Sequence, residues 1–177
     1  KRDVQLRLGQ RREIDREASR ELTLAVALPK GDRQRWLVEK GVELGVAKLI
    51  PLVTARSVVK LKENGLERLR RTVVEASKQC GRNRLMAIDA PQSWQEFLSA
   101  TATGVRVLAD PTAETELSAV GTDANQSVVA AIGPEGGFEV EEIQAAIDRG
   151  WQAVSLGKRT LRVETAALKL AALLLGD

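Results

Sequence analysis

Short apolar runs alternate with longer amphipathic stretches along this chain. Leu22-Thr23-Leu24-Ala25-Val26-Ala27-Leu28 is a run of strand length, closed by Pro29-Lys30-Gly31. Apolar residues over four to eight positions, bounded by turn formers, predict a buried strand. A helix is expected next, capped by Asp32, running through Leu44 and stopped by Gly45. Trp36, Leu37, Val38 and Val42 supply much of its apolar surface. Lys48–Val53 is a second strand, and Pro51 within it argues for a sheet edge or a strand end. Leu66, Leu69, Val73 and Ala76 recur at helical spacing, so Gly65–Gln79 reads as an amphipathic helix.

The alternation continues to the end of the chain. Met86–Ala90 is a short strand before Pro91, and Ser93-Trp94-Gln95-Glu96 is a capping box that opens a helix to about Ala100. Val105–Leu108 is a strand ending at Ala109-Asp110-Pro111. Thr112–Gln126 is small and polar, the composition of a variable surface loop. Val128–Ile132 is a strand, followed by a glycine-rich loop and a helix to Arg149 that Gly150 caps. Trp151–Leu156 is the last strand and Val163–Leu175 the last helix. At the start, Val4, Leu6 and Leu8 alternate with polar residues, as in a half-buried strand over Lys1–Leu8, and Gly9–Glu21 reads as a polar linker. Strands alternating with helices predict an α/β fold, a mostly parallel sheet with helices on both faces. Pattern alone gives an unknotted, doubly wound domain.

Two stretches break the regular pattern. Ala131-Ile132-Gly133-Pro134-Glu135-Gly136-Gly137-Phe138 ends an apolar run in a loop almost without side chains, just before a helix. Leu156-Gly157-Lys158-Arg159-Thr160-Leu161-Arg162-Val163-Glu164-Thr165 also puts a glycine after a strand and ahead of a helix. Ligands of open α/β sheets sit beyond the carboxyl ends of strands, where glycines allow close approach of backbone groups. An ordinary strand-to-helix turn is the plainer reading of either stretch alone. Neither has dinucleotide spacing, and Gly157-Lys158-Arg159-Thr160 lacks the earlier glycine of a phosphate loop, position 152 being Gln.

Composition narrows the chemistry. The 177 residues suffice for one domain with a substantial core, 44% hydrophobic and 29% charged. The longest apolar run, Leu170–Leu175, is far too short to cross a membrane. One cysteine and no histidine exclude a disulfide framework, a Cys/His zinc site and Ser-His-Asp or Cys-His catalysis. A reducing, cytoplasmic setting is expected, with no metal. Proton transfer falls to Asp, Glu, Lys, the cysteine or water. Cys80 reads as a small packed residue, and the three tryptophans as core or subunit contacts. The net charge of +3 is too small to indicate nucleic-acid binding by itself. Arg68, Arg70 and Arg71 cluster, as a solvated helix face would, and so do Lys78, Arg82 and Arg84.

The two glycine stretches, with Glu43-Leu44-Gly45-Val46, Arg56-Ser57-Val58 and Gln79-Cys80-Gly81-Arg82-Asn83-Arg84, resemble the RsmE-type family of SPOUT-class RNA methyltransferases. The likeness runs from about Leu22 to the C-terminus, in the family's order, with Leu85-Met86 departing where the family often has a residue followed by proline. The resemblance implies a SPOUT-type sheet with a C-terminal trefoil knot, Leu156–Thr165 threaded through a loop. It implies S-adenosylmethionine as methyl donor, N3 of a uridine in small-subunit (16S) ribosomal RNA or the assembled subunit as acceptor, and a homodimer. It carries cofactor binding onto Leu108, Ala109, Ile132, Gly133, Pro134, Glu135, Gly136, Leu156, Gly157, Leu161 and Arg162. RNA binding is expected at Arg56, Lys78, Arg82 and Arg84. Arg162 or Arg82 could stabilise charge on the uracil carbonyls, and Glu135 or Glu164 could accept the proton. The plainer role is helix N-terminal electrostatics for Glu135, and a salt bridge or helix start for Glu164. Residues 1–21 would be the remnant of an N-terminal PUA-like RNA-binding domain plus linker, and residues 22–177 the methyltransferase domain. Two other readings stay open: a non-catalytic RNA-binding or ribosome-assembly module of this fold, and a knotted methyltransferase acting on transfer RNA or ribose 2′-OH.

Overall fold

Apolar runs too short for helices pair into one sheet, and the amphipathic stretches between them cover it. The computed structural model describes residues 4–176 apart from 8, 11, 12, 60, 102 and 122–125. Among the described residues, seven strands and five helices follow one another as β1 (Leu22–Val26), α1 (Arg33–Glu43), β2 (Lys48–Val53), α2 (Glu63–Cys80), β3 (Ala87–Ile88), β4 (Gln92–Ser93), α3 (Trp94–Ala100), β5 (Val105–Ala109), β6 (Val128–Ile132), α4 (Val140–Ile147), β7 (Gln152–Val154) and α5 (Val163–Leu175). The strand order is β3-β2-β1-β6-β5-β7, with β4 also pairing β2. Each of these pairings is parallel, Leu24 aligning with Leu49 on one side and Ala130 on the other.

The two-residue period of a strand divides the core between the faces of the sheet. Leu22, Leu24 and Val26 of β1 pack with Leu37, Val42, Leu66, Leu69, Ala167 and Leu170 of α1, α2 and α5. Ala25, one step along, packs with the other core, built on α3 and α4. That core is aromatic: the Trp94 and Phe138 rings lie 4.7 Å apart, and those of Phe97 and Trp151 5.4 Å. Helix α3 begins in the capping box read from the sequence, with Ser93 Oγ accepting from the Glu96 backbone N–H. Hydrogen bonds from the Ser93 hydroxyl and backbone N–H hold the Glu96 carboxyl below the usual carboxylate range.

Several local expectations change. Strand β2 is internal despite Pro51. On one side Pro51 aligns with Val26; on the other it falls between Leu49, which pairs with Ile88, and Leu52, which pairs with Gln92. The ladder on that side is already interrupted, so the missing N–H leaves no rung unmade. The Thr112–Gln126 stretch is more than a surface loop. Glu116 bridges Ser155, a single 3-10 turn covers Leu117–Ala119, and Leu117 and Val120 are buried in the main core. Residues 122–125 of that stretch lie outside the described residues. Of the strand expected over Lys1–Leu8, residues 1–3 and 8 also lie outside them, and Val4–Arg7 is exposed and irregular. Trp36 is a surface residue, 46% exposed, whereas Trp94 and Trp151 are core.

Candidate active site

The carboxyl ends of β5, β6 and β7 open into a crevice of about 420 Å³, the size of a small-molecule pocket. Its walls come from residues 109–112 at the end of β5, 132–138 at the end of β6, and 156, 157 and 159–161 after β7. Val140 and Ile143 of α4, Val163 and Ala166 of α5, and Arg56 from the loop after β2 complete it.

The glycine loop is shaped by its own close packing. A Cβ on Gly133 would lie 2.9 Å from a Phe138 ring carbon and 3.2 Å from the Phe138 backbone nitrogen. Gly137 has φ of +71°, a conformation that suits glycine, and its N–H donates to the Pro134 carbonyl at 2.8 Å. Phe138 then enters the aromatic core against Trp94, fixing the loop from behind. Gly157, with φ of +102°, turns the chain after β7, and Lys169 Nζ donates to the Leu156 carbonyl at 2.7 Å.

Nine of the positions expected to hold a cofactor line this crevice: Ala109, Ile132, Gly133, Pro134, Glu135, Gly136, Leu156, Gly157 and Leu161. Leu108 does not; it is fully buried in the aromatic core, because neighbouring strand residues face opposite ways. Arg162 is exposed at the N-cap of α5, between Leu161 and Val163, which both line the crevice. The sequence reading missed Asp110, Pro111 and Thr112, although they follow a strand as the two glycine stretches do. It also missed Val140 and Ile143, whose three-residue spacing puts them on one helix face.

The two candidate carboxylates meet at a residue that the reading passed over. Arg33, in the first turn of α1, lies 3.5 Å from Glu135 and 3.7 Å from Glu164. It ties the glycine loop to the start of α5. Glu164 is 6% exposed, and its Oε2 is buried with no hydrogen-bond partner among the described residues. Glu135 is far more open, its side chain 41% exposed on the crevice wall.

The expected RNA-facing residues separate. Arg56 belongs to the crevice: its Nη1 donates to the Gly136 carbonyl at 2.8 Å, and its Nε lies 3.7 Å from Glu139. Lys78 and Arg84 are exposed near the C-terminal end of α2, at the amino end of the sheet. Arg82 lies inward rather than on that surface, its side chain 5% exposed. Nη1 donates to the carbonyls of Val42 and Val46 at 3.0 and 2.9 Å, and Nε and Nη2 donate to Glu17. The expected linker docks there too: Asn83 donates to the Ile14 carbonyl at 2.6 Å, and the Arg84 N–H to Glu17 at 3.3 Å.

A parallel sheet with a glycine-walled crevice at its carboxyl edge defines an α/β protein whose strand ends offer backbone atoms and apolar side chains to a ligand. The chain belongs to the RNA methyltransferase domain family, which it matches over residues 16–175. It is 41% identical over 152 residues to ribosomal RNA small subunit methyltransferase E of Synechocystis, covering 82% of this chain and 50% of that one. It is 32% identical to the protein of the same name from Mesomycoplasma hyopneumoniae, covering 87% of this chain and 69% of the relative. The solved Neisseria gonorrhoeae ribosomal RNA small subunit methyltransferase E, bound to S-adenosyl methionine, superposes with a TM-score of 0.83 at 32% identity, over 89% of this chain and 66% of that one. The chain thus spans about half the length of the Synechocystis relative.

Proposed function

We propose that this chain is the methyl-transferring domain of an enzyme that uses S-adenosylmethionine to methylate N3 of a uridine in small-subunit ribosomal RNA. The observation that carries the reading is the convergence of both glycine stretches and the end of β5 on one crevice. The walls suit the donor. Ile132, Leu156, Leu161, Val163 and Ala166 offer apolar contact for an adenine, and the glycine loop brings peptide groups within reach of a ribose. Bound there, S-adenosylmethionine supplies an electrophilic methyl group whose sulfonium leaves as a neutral thioether.

The protein's own task is to align the acceptor nitrogen with that methyl group and to exclude water. Methylation at N3 removes a proton, and negative charge develops on the uracil carbonyls. Arg162 neutralises it, a role supported by its exposure between the crevice residues Leu161 and Val163. Glu135, open on the same wall, passes the proton to solvent. Glu164, enclosed against Arg33, orders the start of α5 instead.

The same reading covers the partners. Lys78 and Arg84 contact RNA phosphates, and a PUA-like domain ahead of residue 22 supplies much of the remaining RNA affinity. A homodimer contact over α1 and α5 is part of the same reading, supported by the exposed Trp36, Leu44 and Leu173 at 46%, 36% and 60%. The threading of Leu156–Thr165 and a cytoplasmic setting belong to this proposal. Among the described residues no helix is long and apolar enough to cross a membrane.

Mass spectrometry of nuclease fragments tests the reaction, after incubation of unmodified small-subunit RNA with the full-length protein and S-adenosylmethionine. A 3-methyluridine product is expected. A ribose-methylated product would move the protein to another substrate class. RNA binding without methyl transfer would make it a binding module.

A further inference from the structure

Glu142 is held from three directions. One carboxylate oxygen accepts the Glu139 backbone N–H at 2.9 Å, the reciprocal bond of the capping box that opens α4. The other accepts the Ala55 backbone N–H, also at 2.9 Å. Its main-chain carbonyl accepts from the indole of Trp94 at 3.0 Å, and Trp94 is 5% exposed. Capping accounts for one carboxylate oxygen. It does not account for the second, which reaches a loop 87 residues away in sequence.

That loop carries Arg56. Thr54–Ser57 is a β-turn, closed by Ser57 N–H to the Thr54 carbonyl at 3.1 Å and stiffened by Thr54 N–H to Ser57 Oγ at 2.9 Å. Fixing Ala55 therefore fixes the stem of Arg56. The Arg56 guanidinium then holds the Gly136 carbonyl, and its Cδ would lie 3.3 Å from a Cβ on Gly136. Arg56 and the glycine loop line the crevice side by side. A shift in the turn moves one and releases the other.

We propose that Glu142 is a positioning residue of the methyl-donor crevice, acting through the Ala55–Arg56 turn on the glycine loop. The proposal rests on the reading of the crevice as an S-adenosylmethionine site. Its ligand-independent signature is the order of the loop itself, and its functional signature is donor affinity.

Two variants weaken the same link from opposite sides. Glu142→Gln keeps the shape and leaves one acceptor oxygen for two backbone donors, Ala55 and Glu139. Ala55→Pro removes the N–H and leaves the α4 cap intact, at the second position of a turn, where proline is favoured. Ser93→Ala, which weakens the cap of α3, is the control for plain destabilisation. Calorimetry with S-adenosylmethionine and amide exchange at Gly136–Phe138 are measured on the full-length protein. Both latch variants are expected to weaken binding about tenfold and to speed exchange in the loop, with Ser93→Ala changing neither. Combining either variant with Arg56→Ala should weaken binding no further than Arg56→Ala alone, because contacting residues in one network are not additive. Unchanged affinity and exchange in both latch variants, or fully additive losses with Arg56→Ala, would overturn the proposal. Failure of the unaltered protein to bind S-adenosylmethionine would remove the donor reading, and this role with it.

Discussion

Replacing Arg82 tests whether the Gln79–Arg84 block faces RNA or holds the fold together. The Arg82 side chain is 5% exposed and that of its partner Glu17 13%, so solvent screens this pair little. The guanidinium also satisfies the Val42 and Val46 carbonyls, between the end of α1 and the start of β2. Arg82→Ala leaves a buried carboxylate and two carbonyls without these donors. Removing one partner of a buried pair costs about 3–5 kcal/mol. For a domain of this size, about 2–4 °C is lost per kcal/mol, so the melting temperature should fall by roughly 6–20 °C. Urea denaturation gives the same quantity as a lower midpoint at an unchanged slope. Glu17→Ala should also destabilise, and the double variant should lose less than the sum of the two. RNA affinity of the folded Arg82→Ala protein should keep its salt dependence. A melting temperature within a degree of the parent, with the salt slope of RNA binding reduced by about one, would refute the reasoning and return Arg82 to the phosphate backbone.

Gly133→Ala should cost about 1–3 kcal/mol by overpacking, its new methyl pressing on Phe138, and should weaken S-adenosylmethionine binding as the loop shifts; denaturation and calorimetry report the two effects. Ser93→Ala should cost about 0.5–2 kcal/mol in urea denaturation through the lost cap of α3. The Glu96 carboxyl is held below its usual range chiefly by the Ser93 hydroxyl, so its contribution is complete at neutral pH and lost as pH falls through its folded value. The stability gap between parent and Glu96→Gln should therefore narrow in denaturation series taken toward pH 3. Arg162→Ala should lower methyl transfer about a hundredfold while leaving the melting temperature and donor affinity close to the parent's; near-normal turnover would remove it from the reaction.

The parts of this protein legible in its sequence are those written in consecutive residues. The apolar run Val128–Ile132 matches β6, Val163–Leu175 matches α5, and Ser93–Glu96 gives its capping box, because each depends on local spacing alone. The two glycine stretches likewise pointed to the crevice, since a ligand beyond strand ends follows from the order of elements. What stayed hidden depends on contacts across the chain. Pro51 read as an edge signal because its ladder is interrupted by β3 and β4, two short strands whose pairing no local pattern shows. Arg82 read as a surface cation because nothing near it in sequence announces Glu17, 65 positions earlier.

The crevice makes the same division within a single site. Its floor is backbone, set by the local demands of Gly133 and Gly137, so residue types alone disclosed it. Its side walls are held by side chains that meet from distant parts of the chain: Arg33 with Glu135 across 102 residues, Arg56 with Gly136 across 80, and Glu142 with Ala55 across 87. Each of these links joins the glycine loop, or the helix that follows it, to an element on the β1–β2 side of the sheet. The loop has few side chains with which to hold itself, and glycine leaves its backbone entropically free. Cross-chain ties are the physical answer to that freedom. They explain why Arg33 and Arg56 stand beside a loop of glycines: these two arginines carry its geometry, whereas Arg162, at the N-cap of α5, stays exposed.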